Sequence, residues 1–202
     1  MARTGMSNLI TRLRVMTNAG TADFSLAGVS YFDDDQLQDL LDANVTLVEN
    51  YPLEWFPDTV GGGSIEWHRC KSGNYRDFEE IASGTLQWAV RDATGALQGT
   101  ANYTPNYVTG ELCFTADQGG TIYYLNARSY DLYSAAADVW LQRQAYYSDW
   151  VHVASDGQQF SWQQAFDHAV EMERSMRARA GQNRYRGALR TGAFVRNDLN
   201  GG

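Results

Sequence analysis

Apolar residues recur at helical spacing in four stretches of the chain. Leu9, Ile10, Leu13 and Met16 fall on one face of a predicted helix over 7–18, which Ala19-Gly20 ends. A second helix is predicted over 33–50. Asp33, Asp34 and Asp35 supply its N-cap and first-turn charges, and Pro52 stops it. Leu37, Leu40, Leu41, Asn44, Val45 and Val48 form its inward stripe. A third covers 130–147, with Leu132, Ala135, Ala136, Val139, Trp140 and Arg143 near one face. The short strand Val151-His152-Val153 and the turn Ser155-Asp156-Gly157 lead to a fourth helix over 161–180. That helix opens on the capping-box pattern Ser161-Trp162-Gln163-Gln164 with Phe160 as staple, and Gly181 is placed at C′. Phe166, Ala169, Val170 and Met176 point inward from it.

Between 64 and 127 the period changes to two. The runs Ile65–Cys70, Thr85–Val90, Glu111–Thr115 and Thr121–Leu125 alternate. Turn signals at Ala93-Thr94-Gly95, Thr109-Gly110 and Gln118-Gly119-Gly120 separate them. Gly61-Gly62-Gly63-Ser64 reads as a hinge into this region, and Arg76–Ala82 as a short helical turn within it. From Asn183 onward no period persists. The expected fold is α+β: mainly a helical bundle, with a small antiparallel β-sheet inserted at about 64–127. Residues 1–181 form one domain and 182–202 an extended C-terminal arm. Leu40, Leu41, Val139, Trp140 and Phe166 are expected to share one core, supplied mostly by helices.

Composition places the chain among folded globular proteins, because 44% hydrophobic and 13% aromatic residues suffice for a core. No apolar run approaches the roughly 18 residues of a membrane helix, and the first twenty residues lack a signal-peptide pattern. Cys70 and Cys113 stand in no CxxC pair and are read as buried thiols of a reducing compartment. Charge is unevenly spread. Residues 21–80 hold thirteen acids against three bases, Arg69, Lys71 and Arg76, whereas seven arginines and one acid follow from Arg174 on. An acidic body disfavours duplex binding, which needs cations to displace phosphate counterions. A basic tail carrying Tyr185, Leu189 and Phe194 among its arginines suits a protein interface.

Candidate chemistry is sparse. His68, His152 and His168 show no metal-ligand spacing and read as structural or exposed. The acids Glu79-Glu80 and Asp33–Asp35 could be imagined as a hydrolytic carboxylate pair, but capping and solvated surface explain them more simply. The glycines at 61–63 lack the Lys-Ser/Thr of a phosphate loop, and Asp156-Gly157 lacks the further acids of a calcium loop. No catalytic residue, metal or cofactor is expected. Trp67, Trp88, Tyr103, Tyr107, Tyr123 and Tyr124 either fill a thin sheet's core and an intersubunit surface or stack sugars.

Two parts of the sequence resemble head–tail adaptor (connector) proteins of tailed bacteriophages. The first is Leu9–Arg14 followed by Tyr31-Phe32-Asp33-Asp34-Asp35-Gln36-Leu37-Gln38-Asp39-Leu40-Leu41-Asp42. The second is Tyr130-Asp131-Leu132-Tyr133-Ser134-Ala135-Ala136-Ala137-Asp138-Val139-Trp140, with Ser155–Ser161 leading to a helix bearing Met172 and Arg177. The β insertion departs from the shorter adaptors. The resemblance implies a virion protein made in a bacterial cytoplasm. It would form a ring, usually of twelve copies, beneath the portal protein, with DNA passing through and a stopper or tail-completion protein on the other face. The arm would then meet the portal through Arg184, Tyr185, Arg186, Leu189, Arg190, Phe194 and Arg196, and Asp35, Asp39, Asp42 and Glu49 are channel-lining candidates. The alternative from another class is a carbohydrate-binding or adhesion module built on the aromatic β region. A weaker third option is a hydrolase using His68 or His152.

Overall fold

The computed structural model describes residues 2–20, 24–26, 29–81, 88–151 and 159–188. In chain order the elements are α1 (Ser7–Thr17), β1 (Phe24–Leu26), β2 (Val29–Tyr31), α2 (Asp34–Asp42), β3 (Val45–Pro52), β4 (Glu54–Val60) and β5 (Ser64–Lys71). There follow β6 (Trp88–Asp92), β7 (Tyr103–Asn106), β8 (Glu111–Phe114), β9 (Tyr123–Tyr130), α3 (Leu132–Val151) and α4 (Gln159–Ala188). The antiparallel strands form a β1–β2 hairpin, a three-stranded sheet β3-β9-β6 and a four-stranded sheet β4-β5-β8-β7. The fold is α+β, but it is not mainly a helical bundle: two sheets with a core of their own stand beside the helices.

The largest correction concerns residues 43–60. The helix expected over 33–50 stops at Asp42. Asn44 ends it by donating its side-chain amide to the Leu40 carbonyl at 2.9 Å and to Asp138 at 2.9 Å. The chain then extends as β3, where β-branched Val45, Thr46 and Val48 fit a pleated surface. Val45 pairs with Tyr130 and Pro52 with Tyr124, so β3 is an edge strand of the sheet centred on β9. Gly61–Gly63 is therefore no hinge. It closes the β4–β5 hairpin, with Gly62 and Gly63 at positive φ. Residues 76–81 form no helical turn: Asp77 stands at φ +57° and Phe78 bridges to Ser129.

Two cores result. Leu9, Leu13, Phe32, Leu37, Leu41, Ala135, Val139 and Trp140 fill the helical one. Val48, Phe78, Trp88, Val90, Leu112, Phe114 and Leu125 fill the space between the sheets. Burial alternates along β9, with Tyr123, Leu125, Ala127 and Ser129 inward. Its last residue, Tyr130, belongs to the helical core. One strand thus ties both cores together. Phe166, expected in the core, is only half-buried.

The helical hairpin also differs from expectation. Asp131 caps α3 by accepting from the Ser134 amide at 3.1 Å, so Tyr130 closes a strand and does not open a helix. Val151 lies in α3, while 152–158 fall outside the described residues. α4 begins two residues before Ser161 and continues through Gly181 to Ala188, so the first part of the expected arm, 182–188, is helix. Residues 189–202 lie outside the described residues.

Gly110 shows how tightly the loops are fitted. Its φ is +73°, and an added Cβ would stand 2.2 Å from Ser72 Oγ and 2.7 Å from the Tyr75 carbonyl oxygen. Gly110→Ala should cost about 2 kcal/mol or more, from strain and displacement together. A thermal transition equal to that of the native chain would refute this packing.

Candidate functional site

Arg3, Asp42, Glu79, Arg128 and Tyr130 meet in a polar knot between the helical layer and the sheets. Arg3 grips Asp42 with two bonds, Nη1 to Oδ2 at 2.7 Å and Nη2 to Oδ1 at 2.6 Å. Its Nε donates to Glu79 Oε1 at 3.2 Å, and its backbone N–H to Gln38 Oε1 at 2.6 Å. The Tyr130 hydroxyl donates to Glu79 Oε2 at 2.7 Å and accepts from Arg3 at 3.1 Å. Arg128 stands 3.6 Å from the same carboxylate. Burial and the neighbouring carboxylates push the Tyr130 phenol up, and Asp42 and Glu79 hold the Arg3 guanidinium firmly charged. Glu79, only 1% exposed, has a carboxylate already engaged by two guanidiniums and a phenol. It is an anchor between the N-terminal segment, α2 and β9, not a general base. The solvated-surface reading of Glu79 is thereby corrected.

A second link lies nearby. Arg12 of α1 donates to Asp77, whose carboxyl is pushed up by burial against the opposing pull of Arg12.

The candidate channel residues are divided between α2 and β3. Asp35 and Asp39 lie one turn apart on α2 and are exposed. Asp42 is held by Arg3, and Glu49 is exposed on β3. Of the candidate partner-binding residues, Arg184, Tyr185 and Arg186 fall in the last turns of α4. Leu189, Arg190, Phe194 and Arg196 lie outside the described residues.

The histidines are placed as follows. His68 has Nε2 2.9 Å from Glu66 and Nδ1 3.3 Å from the Phe114 carbonyl. Both ring nitrogens face acceptors, which favours the imidazolium, and Glu66 contributes most to raising its pKa. His168 lies edge-on to Trp140 at 5.6 Å, and His152 falls outside the described residues. Among the described residues there is no group of three potential metal ligands. No helix among them is long and apolar enough to cross a membrane.

Most of the sheet aromatics serve the core. Trp88, Tyr103 and Tyr123 are buried. Phe78 and Tyr107 meet Trp88 edge-on at 4.9 and 5.2 Å, and Phe114 stacks on Tyr123 at 4.9 Å. These rings pack on one another, and the three buried ones offer no face to a sugar. The outer face of the four-stranded sheet carries a groove of about 520 Å³. A cross-strand row of Phe56, Arg69, Cys113 and Thr104 lines it. The Arg69 guanidinium, beside Asp58, holds that carboxyl below its ordinary value.

Cys113 is exposed in this groove, which corrects its reading as a buried thiol. Cys70 faces the core, where burial pushes its thiol up to about 12. The register pairs Cys70 with Leu112, so the two thiols point to opposite faces of the sheet and cannot bridge.

α3 and α4 pack side by side. Arg177 reaches Asp138 at 3.2 Å and Arg179 lies over the Tyr133 ring. Tyr133 is the second residue of α3, so the last two turns of α4 run past the start of their partner helix. At 30 residues α4 is about 45 Å long, against about 30 Å for α3.

Comparison with protein-family models, curated proteins and solved structures finds no match to this chain.

Proposed function

We propose that the chain is a structural connector of the head-to-tail joint of a tailed phage, a ring subunit beneath the portal that joins the head to a stopper or tail. The observation that carries this reading is the polarity of the molecule. α4 overruns its packing partner and leads into the segment richest in arginine, while the body it leaves is acidic. A rod with a basic end on an acidic body suits docking on a second protein. The acidic surplus suits a wall past which DNA slides without sticking, since carboxylates repel phosphates. Two cores joined by β9 and the Arg3–Glu79 knot form a stiff block, as a load-transmitting joint requires.

The test is co-purification with assembled portal rings. Removing residues 189–202 should abolish capture while leaving the thermal transition of the chain unchanged. Full capture of the truncated chain would refute the role of the tail. Absence of capture for the intact chain, tested with the portal of the same virion, would refute the connector reading.

A further inference from the structure

A second concavity, of about 440 Å³, lies between α1, the 71–77 loop, the turn at 108–109 and the start of α3. Arg12, Lys71 and Arg76 line it, and Asp77 is its one acid. Counting Glu111, 3.8 Å from Lys71, three bases face two acids, which leaves this hollow a positive balance in a chain of net charge −8. Lys71 and Arg76 are two of the three bases between residues 21 and 80, and the fold brings Arg12 of α1 beside them.

α2 is the opposite case. It holds Asp34, Asp35, Asp39 and Asp42 and no base. Arg14 crosses from α1 to bond Asp34 at 2.7 Å, and Asp42 is gripped by Arg3. Asp34, Asp35 and Asp39 remain exposed.

The two surfaces lie on opposite sides of α1. Arg12 and Arg14 are two residues apart on a helix, hence about 200° apart around its axis. Arg12 points to Asp77 in the hollow and Arg14 to Asp34 on α2. An α2 face cannot reach the hollow of its own chain with α1 between them. It can reach that of another copy.

We infer that the hollow lined by Arg12, Lys71 and Arg76 receives the acidic α2 face of a second copy of this chain. The contact joins two different surfaces, so it is head-to-tail, and repetition in one direction closes a ring if the rotation permits. Asp39 then lies between subunits and not on a channel wall. The inference rests on the proposed ring assembly and names the surfaces that make it.

Sedimentation of the full chain at low salt tests it, where exposed charges act over the longest range. The native chain should self-associate, and added salt should weaken the association. Arg76→Glu and Asp39→Lys, both at exposed positions, should each weaken it by about tenfold or more with an unchanged circular dichroism spectrum. Mixing the two variants should restore assembly. The Arg76→Glu chain still offers a native α2 face and the Asp39→Lys chain a native hollow, and the two reversed surfaces complement each other. The double variant, with both signs exchanged, should regain assembly. Single variants that associate like the native chain would overturn the inference, as would a native chain that stays monomeric at low salt and high concentration. Portal capture, measured separately, would still decide the connector reading.

Discussion

Replacing Phe78 by alanine should lower the unfolding free energy by about 3–5 kcal/mol, as expected for loss of a buried aromatic ring. Phe78 is 1% exposed and meets Trp88 edge-on at 4.9 Å. Its backbone N–H donates to the Tyr107 carbonyl at 2.8 Å, which holds the 77–81 segment in place. The cavity would open between two sheets whose hydrogen-bonded strands cannot easily collapse into it. Phe166→Ala should cost only about 1 kcal/mol, because that residue on α4 is only partly buried. Denaturant titration with comparable slopes measures both. Equal losses at the two positions would refute the arrangement of two cores.

Arg3→Ala should cost about 3 kcal/mol, which is large for a residue so near the chain end. The loss strands the Glu79 carboxylate, 1% exposed, with Arg128 3.6 Å away and the Tyr130 hydroxyl as its remaining partners. Breaking a buried pair from one side costs about 3–5 kcal/mol. The lower end applies because Arg3 is itself one-third exposed and Arg128 remains. Neutralising the stranded charge should recover part of the loss. Glu79→Gln in the Arg3→Ala background should therefore be less harmful than Glu79→Gln alone plus Arg3→Ala alone. Strict additivity in that cycle would mean that Arg3 and Glu79 do not act as a unit.

The misread segment 43–60 shows where sequence pattern loses its power. Val45 and Val48 continue the helical stripe of Leu37 and Leu41 at spacings of three and four, and nothing local forbids a helix as far as Pro52. What decides is remote. Asn44 bonds Asp138, ninety-four positions away, and Val45–Pro52 finds a ladder on β9. A strand is settled by its partner, whereas a helix satisfies its own backbone. Glu79 was misjudged for a similar reason. A carboxylate is tolerable in a core only when cations reach it, and Arg3 and Arg128 come from distant parts of the chain.

The sequence by itself determined the locally specified parts. These are the helix of Leu9 and Leu13, the Asp33 cap whose Oδ1 accepts the Gln36 amide at 2.8 Å, the alanine-rich helix after Asp131, and the turns at Thr94, Gly110 and Gly119. Each depends on residues within about four positions, through capping bonds, periodicity or positive φ. Only the tertiary structure decided that β3 and β4 are strands, that Phe78 and not Phe166 fills a core, and that α4 passes through Gly181. It also brought Arg12, Lys71 and Arg76 into one hollow. Sheet pairing, buried charge pairs and surface charge balance are sums over contacts distant in sequence, and no local window of the chain contains both partners.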